Sequence, residues 1–323
     1  MIAYIIRRIL TALLIVWAVA TICFIILQLA PGDPASMYIR PEIKPAVVEN
    51  IRKQLGFDLP IWQQYIKWLR GLSAGNFGTS FIHKQPVIDI IANTLPNTLR
   101  LTLVVFCVQF LMGIVIGIYL ATKQGSKIEQ TVNGFLLFLY SMPGFWLALI
   151  LILIFSLHLG WLPSSQMQSM RDINGFIPIL WDQVKHLILP VTVLSIPFIT
   201  YTTRFIQDQL RDVFAQPYFL AAKTYGFSGQ KILFKYALKN ALLPLITLIG
   251  LYLPFILGGA VITEYIFAWP GMGRITVTAI FAHDFPLILA STIIAALAVV
   301  IGNLLSDILY ALADPRIRTK ETL

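Results

Sequence analysis

Long uninterrupted apolar runs dominate the chain, and charged residues collect in the segments between them. A helix that rises about 1.5 Å per residue needs about 20 apolar residues to cross roughly 30 Å of hydrocarbon. Six runs approach or exceed that length: Ile9–Leu29, Leu101–Ala121, Thr131–Leu157, Leu187–Thr203, Ala241–Thr263 and Leu287–Tyr310. The fourth is the shortest and holds Pro190 and Pro197, which predict a kink. The pattern therefore predicts an all-α membrane protein with six transmembrane helices in a single domain, residues 1–323.

The first run follows Arg7 and Arg8 and so begins like a signal peptide. Ile9–Leu29 holds 21 residues without a charge, whereas the apolar part of a signal peptide has about 7–15 residues. No cleavage site of the A-x-A type closes the run. We therefore interpret it as an uncleaved first span.

Lysine and arginine residues near the span ends predict the orientation. If the N-terminus is cytoplasmic, the inner segments hold thirteen of them and the two short outer loops hold three. This excess is typical of the positive-inside rule. We expect both termini in the cytoplasm, an extracytoplasmic segment at 30–95 and a cytoplasmic loop at 204–240.

Composition supports this interpretation. The chain is 58% hydrophobic and 12% charged, whereas soluble domains carry about 25% charged residues. The net charge is +9, and the basic residues are distributed as the positive-inside rule predicts. No nucleic-acid partner is therefore expected. Cys23 and Cys107 lie inside apolar runs without CxxC or metal-binding spacing, which indicates small packing residues.

The outer segment contains two helical patterns. Pro45 and Gly56 bound the first, at 45–56. In the second, "LPIWQQYIKWLRGL", one stripe is apolar and aromatic and the opposite face is basic, which suits a helix at a membrane interface. The stripe consists of Trp62, Tyr65, Ile66 and Leu69, and the basic residues are Lys67 and Arg70. Such a helix either packs on the protein's own outer rim or docks an external partner.

Signals of catalysis are missing from the sequence. It has no Walker A loop, no G-x-G-x-x-G, no H-E-x-x-H and no G-x-S-x-G, so we predict neither a catalytic nor a metal site. We expect the four histidines in loops or at the interface: His83, His158, His186 and His283. The span centres also lack charged residues, which disfavours an ion-coupled carrier.

The longest inner connection, 204–240, predicts a short helix ringed by positive charge. Pro217 can begin it and Gly226 can end it in the left-handed conformation. Two turns of helix are unstable alone and must pack on something. Ala221 and Ala222 permit close approach, and four aromatic residues can fill a partner's groove: Tyr218, Phe219, Tyr225 and Phe227. A helix lying on the bilayer is the alternative. A second helix is predicted at 229–240.

The stretch "YFLAAKTYGFSGQKILFKYALKNALLPLITLIG" resembles the EAA loop of binding-protein-dependent ABC importer permeases, closest to the oligopeptide/dipeptide/nickel branch. The pattern of that branch, roughly Y-x-R-x-A-R-x-x-G and then R-x-A-x-x-N-A-L-L-P, is matched at Tyr218, Ala222, Lys223 (for Arg), Gly226, Ala237, Asn240, Ala241, Leu242, Leu243 and Pro244. Leu220 stands where that branch has Arg, and Tyr225 where Lys is common. The stretches "APGDP", "LGFDLPIWQQYIKWL" with "GNFGTSF", "TEYIFAWPGMGR" and "ALADPRIR" resemble the same branch, in order along the chain.

The resemblance implies the type I ABC importer permease architecture, with a large extracytoplasmic segment after the first helix, in a bacterial or archaeal inner membrane. The implied partners are a second homologous permease, two cytoplasmic ABC ATPase subunits, an extracytoplasmic substrate-binding protein and membrane lipid. This chain would bind no cofactor, since ATP and Mg²⁺ would be used by the partner ATPases.

The resemblance also assigns roles to residues. The short helix becomes a coupling helix that docks on the ATPase through Tyr218, Phe219, Ala221, Ala222, Lys223 and Gly226. Asn240 and Pro244 would form the joint of this loop. Thr247 and Tyr252 are candidates to line the pathway. Trp269 and Arg274 are candidates to contact the binding protein or to anchor the rim, and the G-x-x-x-G of Gly113 and Gly117 indicates close internal packing of helices.

The predicted function is the permease subunit of an ATP-driven importer of oligopeptides or dipeptides. Import of nickel or another small solute by the same type of complex is one alternative. An ATP-independent secondary carrier is another, and a membrane-embedded enzyme is disfavoured by the missing motifs. The short helix distinguishes an ATP-driven importer from a secondary carrier, because a secondary carrier does not need it.

Overall fold

The computed structural model describes residues 2–29, 59–170, 175–225 and 260–313, together with the single residues 227, 233, 238, 245 and 252. Within these ranges the protein is helical and has no β-strand, apart from one isolated bridge between Thr79 and Pro86. The predicted helices at 45–56 and 229–240, and most of the predicted span Ala241–Thr263, lie outside the described residues.

Ten α-helices occur in these ranges. They are α1 (Ile2–Leu29), α2 (Ile61–Ser73), α3 (Val87–Thr122), α4 (Lys127–Tyr140), α5 (Gly144–Leu151), α6 (Phe176–Phe214), α7 (Pro217–Thr224), α8 (Val261–Ile266), α9 (Met272–Phe281) and α10 (Phe285–Ala313). Four of them, α1, α3, α6 and α10, are long and apolar enough to cross a membrane. They confirm the predicted multi-span helical class.

The third predicted span, Thr131–Leu157, is not one straight helix. Helix α4 ends at Tyr140, and α5 follows with its axis turned by 102°. Pro143 stands at the break in an extended conformation, with φ −56° and ψ 130°. Proline lacks an N–H and drives the residue before it out of the helical region, so it interrupts the helix while the sequence stays apolar. After α5 the backbone continues as a π-helix, Ile152–His158.

Helix α6 is much longer than the predicted span Leu187–Thr203. Its 39 residues continue through Pro190 and Pro197 without a break in the helix. The extensions at both ends carry polar and charged side chains, which the hydropathy pattern excluded. The kink at the prolines stays a prediction.

Helices α3 and α6 form the centre of the described bundle, and the G-x-x-x-G of α3 lies in their contact. A Cβ added to Gly113 would lie 2.6 Å from Cβ of Thr202, and one added to Gly117 would lie 2.8 Å from Cβ of Ile206. The predicted close packing at these two glycines is confirmed.

Helix α2 packs against the end of α1. The ring of Phe24 lies 5.3 Å from the rings of both Tyr65 and Trp68, and the Tyr65 hydroxyl is 2.8 Å from Oγ1 of Thr21. The predicted amphipathic helix is confirmed, and it lies on the protein's own rim. Two other residues of the predicted stripe, Trp62 and Ile66, are exposed.

Candidate functional site

The short helix that the sequence predicts after Pro217 is present in the structure. Helix α7, Pro217–Thr224, follows the end of α6 after only two residues. In this tight connection Phe219 N donates to Gln216 O at 3.0 Å and Ala215 N donates to Arg211 O at 3.1 Å. The direction of α7 is therefore set by α6.

Phe219 faces the protein's own core. Its ring lies 4.8 Å from that of Phe214 and packs against a buried cluster that includes Ile206 and Leu210. In this conformation the ring is already half-buried inside the chain, so its insertion into a partner's groove stays a prediction. Phe219 instead holds α7 against α6.

Four of the described side chains of residues 217–225 are exposed: Pro217, Ala221, Thr224 and Tyr225. Tyr225 is 83% exposed. The other predicted residues of the loop cannot be placed: Gly226, Asn240, Pro244 and Thr247, and the side chains of Tyr218, Ala222 and Lys223, lie outside the described parts of the chain. Among the side chains of α7 that the structure describes, the exposed ones are small, and the exposed ring of Tyr225 follows them.

A buried carboxylate joins the start of α4 to the end of α6. Ser126 caps α4 by accepting from Glu129 N at 3.2 Å, and Glu129 Oε2 accepts from Gly125 N at 2.6 Å. This is a variant of the capping box. Oε1 of the same carboxylate accepts from Gln207 Nε2 at 3.4 Å and pairs with Arg211 Nη2. Ser126-x-x-Glu129 is a local signal for the cap, but no local pattern indicates the contact with Gln207 and Arg211.

A second buried carboxylate organises the turn between α8 and α9, the stretch "AWPGMGR". Glu264 Oε2 accepts from Gly273 N at 2.6 Å and Arg274 N at 3.4 Å. A negative charge is stabilised at the start of a helix. A Cβ on Gly271 would meet that oxygen at 2.5 Å, so only glycine fits there. Burial raises the pKa of the Glu264 carboxyl above its usual range, while the hydrogen bonds from Thr98, Gly273 and Arg274 oppose the rise.

Trp269 lies in the interior of this turn. It has no exposed surface, and its Nε1 donates to Asn97 O at 2.9 Å. In this conformation Trp269 presents no surface to an external protein, and its side chain ties the turn to α3. Arg274 is half-buried and donates from Nη1 to Ala268 O at 2.8 Å.

A third buried carboxylate, Asp284, stands before α10. Its Oδ2 accepts from Ser80 Oγ at 2.5 Å and from Ile82 N at 3.1 Å. The "GNFGTSF" stretch is thereby fixed to the start of the last span. Because 204 positions separate Ser80 from Asp284, no local pattern could indicate this pair.

Tyr252, a predicted pathway residue, sits among aromatic rings of α3 and α6. Its ring lies 4.9 Å from Phe198, 5.8 Å from Phe110 and 6.2 Å from Tyr201. Tyr201 is 52% exposed. The pathway role of Tyr252 stays a prediction.

His186 lies inside α6, is buried, and its Nδ1 is 2.8 Å from Asp182 O. Because the polar N-terminal extension of α6 is helical, His186 does not lie in a loop, and its place at the interface stays a prediction. Among the residues that the structure describes, no three histidine, cysteine or acidic side chains lie close enough to hold a metal ion.

These features define a multi-span membrane protein in which a short helix is rigidly joined to a long span at one end of the bundle. The chain belongs to the family of binding-protein-dependent transport system inner membrane components. The sequence model of that family matches residues 113–319, and the model of its N-terminal part matches residues 1–102. The protein is accordingly a transport permease subunit of the cell membrane.

Similar proteins share nearly the whole chain. The oligopeptide transport system permease protein AppB of Bacillus subtilis is 40% identical over 319 residues, which cover 98% of this chain and 99% of AppB. The di/tripeptide transport system permease protein DppB of Pseudomonas aeruginosa is 34% identical over 333 residues, with 98% and 99% covered.

A solved structure has the same fold. A chain of the methionine ABC transporter MetNI, in an inward-facing conformation, superposes with a TM-score of 0.53 at 16% identity. The match covers 70% of this chain and 97% of that chain.

Proposed function

We propose that this chain is the permease subunit of an ATP-driven ABC importer of oligopeptides or dipeptides, in which it forms half of the translocation pathway. The observation that carries the proposal is the 40% identity to an oligopeptide permease over 98% of the chain. Nickel or another small solute is the alternative cargo that the sequence motifs leave open.

The proposed topology has six spans within one domain, residues 1–323, and both termini in the cytoplasm. The segment 30–95 would be extracytoplasmic and the loop 204–240 cytoplasmic. The distribution of lysine and arginine supports this arrangement. The contact of Glu129 with Arg211 is consistent with it, since it joins two connections that are both expected on the inner side.

The proposed partners are a second homologous permease, two cytoplasmic ATPase subunits and an extracytoplasmic binding protein. ATP and Mg²⁺ would be used by the ATPases, and this chain would bind no cofactor. Helix α7 would dock on an ATPase through Ala221 and its neighbours, with Gly226 at its end and Asn240 and Pro244 at the following joint.

The mechanism follows from the rigidity of the connection. Closure of the two ATPases on ATP would draw the coupling helices together. Because α7 is packed on α6 through Phe219 and follows it after two residues, the force would pass into α6 and tilt the bundle. A ligand-loaded binding protein would favour the outward state by binding it more tightly. Arg274 is our candidate for that contact, and Thr247 and Tyr252 are our candidates for the pathway.

The test is uptake into proteoliposomes that contain this chain with its sister permease, ATPases and binding protein. We expect labelled trialanine to accumulate only with ATP, Mg²⁺ and binding protein present. Accumulation of ⁶³Ni²⁺ instead of trialanine would select the alternative cargo. Uptake at the full rate without the ATPase subunits would overturn the proposal in favour of a secondary carrier.

A further inference from the structure

The Glu129 carboxylate contacts two different parts of the structure. Its Oε1 contacts Arg211 and Gln207, both on α6, whereas its Oε2 accepts from Gly125 N in the turn before α4. The side chain is only 8% exposed. Arg211 lies six positions before Pro217, the first residue of α7. The carboxylate therefore bridges α4 to the part of α6 that carries the short helix.

A second ion pair of Arg211 gives a natural contrast. Asp208 Oδ1 lies 3.6 Å from Arg211 Nη1, but its side chain is 68% exposed. Asp208 is also three residues away on the same helix, so this pair joins no two elements. Exposed pairs contribute little because water and salt screen them. A buried carboxylate that loses its cation is left uncompensated, so the pair with Glu129 resists separation.

Helix α4 is tied to α6 a second time, nearer its other end. The Thr200 hydroxyl of α6 shares its hydrogen between Ile196 O of its own helix at 2.9 Å and Leu136 O of α4 at 3.3 Å. Beyond that point α4 ends at Tyr140, and the chain turns by 102° into α5. A displacement of the end of α6 would therefore be carried by α4 along its length to this bend.

We propose that the Glu129–Arg211 ion pair is a strut that makes α4 move together with the coupling helix, and that both are positioning residues for transport. The inference rests on the proposed function. Motion of α7 would then reach the bundle by two routes, through α6 directly and through the strut into α4 and the bend at 141–143. Without the strut, α7 would still dock and ATP would still be hydrolysed, but α4 would not follow.

The test compares Glu129→Gln, Arg211→Gln and their double variant with the control Asp208→Asn, each in the complete complex in proteoliposomes. We measure trialanine uptake and ATP hydrolysis in the same vesicles. We expect trialanine moved per ATP to fall roughly tenfold in Glu129→Gln and Arg211→Gln, within the range typical of coupling between sites. Asp208→Asn should stay within about twofold of the unmodified protein.

The double variant shows whether the two residues act as a unit. Uptake per ATP should fall no further than in the worse single variant. A fall equal to the product of the two single effects would overturn the strut, as would an equal loss in Asp208→Asn. Unchanged coupling in both single variants would overturn it too.

Two further outcomes are also decisive. If Glu129→Gln does not assemble, Arg211→Gln decides alone, because Arg211 is about one-third exposed and Glu129 keeps Gly125 N and Gln207 as partners. If the unmodified complex shows no ATP-dependent uptake, the proposed function fails and this inference fails with it.

Discussion

Single atoms decide how closely α3 and α6 approach. At Gly117, an added Cβ would lie 2.8 Å from the backbone oxygen of Thr203 as well as from the Ile206 side chain. A backbone atom in the middle of a helix cannot move aside as the end of a flexible side chain can. The two central helices can therefore pack this closely only because residue 117 has no side chain.

We expect Gly117→Ala to destabilise the protein by about 1–3 kcal/mol, the usual cost of overpacking a dense interior. The measurement is the thermal unfolding midpoint in detergent. Gly134→Ala is the matched control, because a Cβ there has nothing within 4 Å. Alanine is the better helix former by up to about 1 kcal/mol, so the control should be neutral or stabilising. Equal midpoints for both variants would contradict the close contact.

Asp284 gives the second prediction for a single residue. In Asp284→Ala, the Ser80 hydroxyl and Ile82 N lose their acceptor. A buried donor left without a partner costs about 1–3 kcal/mol. We expect a lower unfolding midpoint and faster proteolysis between residues 77 and 86. Asp89→Ala, at an exposed site in the first turn of α3, is the control and should change both readouts little. Unaltered proteolysis in Asp284→Ala would show that the pair does not hold this segment.

Residue types alone did not reveal the three buried carboxylates. Glu129 had a local signal in its capping box, whereas Glu264 binds Gly273 and Arg274 in the following turn and Asp284 binds Ser80, 204 positions away. Tertiary contacts of this kind leave no periodic trace in the sequence. The inward direction of Trp269 was not predictable for a related reason, since a tryptophan near a predicted span end can face either the membrane interface or the interior.

At the level of elements, hydropathy predicted α1 and α10, and the apolar part of α3, which begins at Val87, fourteen residues before the predicted span. Hydropathy missed the bend between α4 and α5. Pro143 lies inside an apolar run and changes the hydropathy little, but it removes a hydrogen bond of the helix backbone. The span that hydropathy predicted for α6 is shorter than the helix, because the two ends of α6 are polar but helical. The short helix α7 was predictable because Pro217 marks its start.

The proposed docking role of α7 predicts the effect of bulk on its exposed surface. We expect Ala221→Trp to abolish ATP-dependent trialanine uptake, because an indole would prevent close approach to the ATPase. Insertion and thermal stability should not change, since Ala221 is exposed. Ile128→Trp is the control, at an exposed position near the same end of the bundle but on α4. Normal uptake by Ala221→Trp would contradict docking at this surface.

At the scale of the whole molecule, the contacts of Glu129 and Asp284 identify two opposite ends of α3. The turn after α3 lies beside the end of α6 that leads into α7. The segment before α3 is fixed to the start of α10, where Ser80 meets Asp284. Residue 74 lies before α3, on the side of the Ser80 contact, and residue 124 lies in the turn after α3, on the side of the Glu129 contact. Both residues are exposed. They can therefore report which end of the bundle faces the cytoplasm.

We expect a membrane-impermeant maleimide to label Ala74→Cys in intact cells, whereas Gln124→Cys should react only after permeabilisation. Both substitutions would be made after replacing Cys23 and Cys107 by alanine, so that each protein carries one thiol. The expectation follows because Lys123 and Lys127 flank residue 124, and positive charge is retained on the cytoplasmic side. Labelling of residue 124 alone from outside would invert the topology and place α7 where no ATPase could reach it. Labelling of both from outside would mean that α3 does not cross the membrane, despite its 36 residues and high hydropathy.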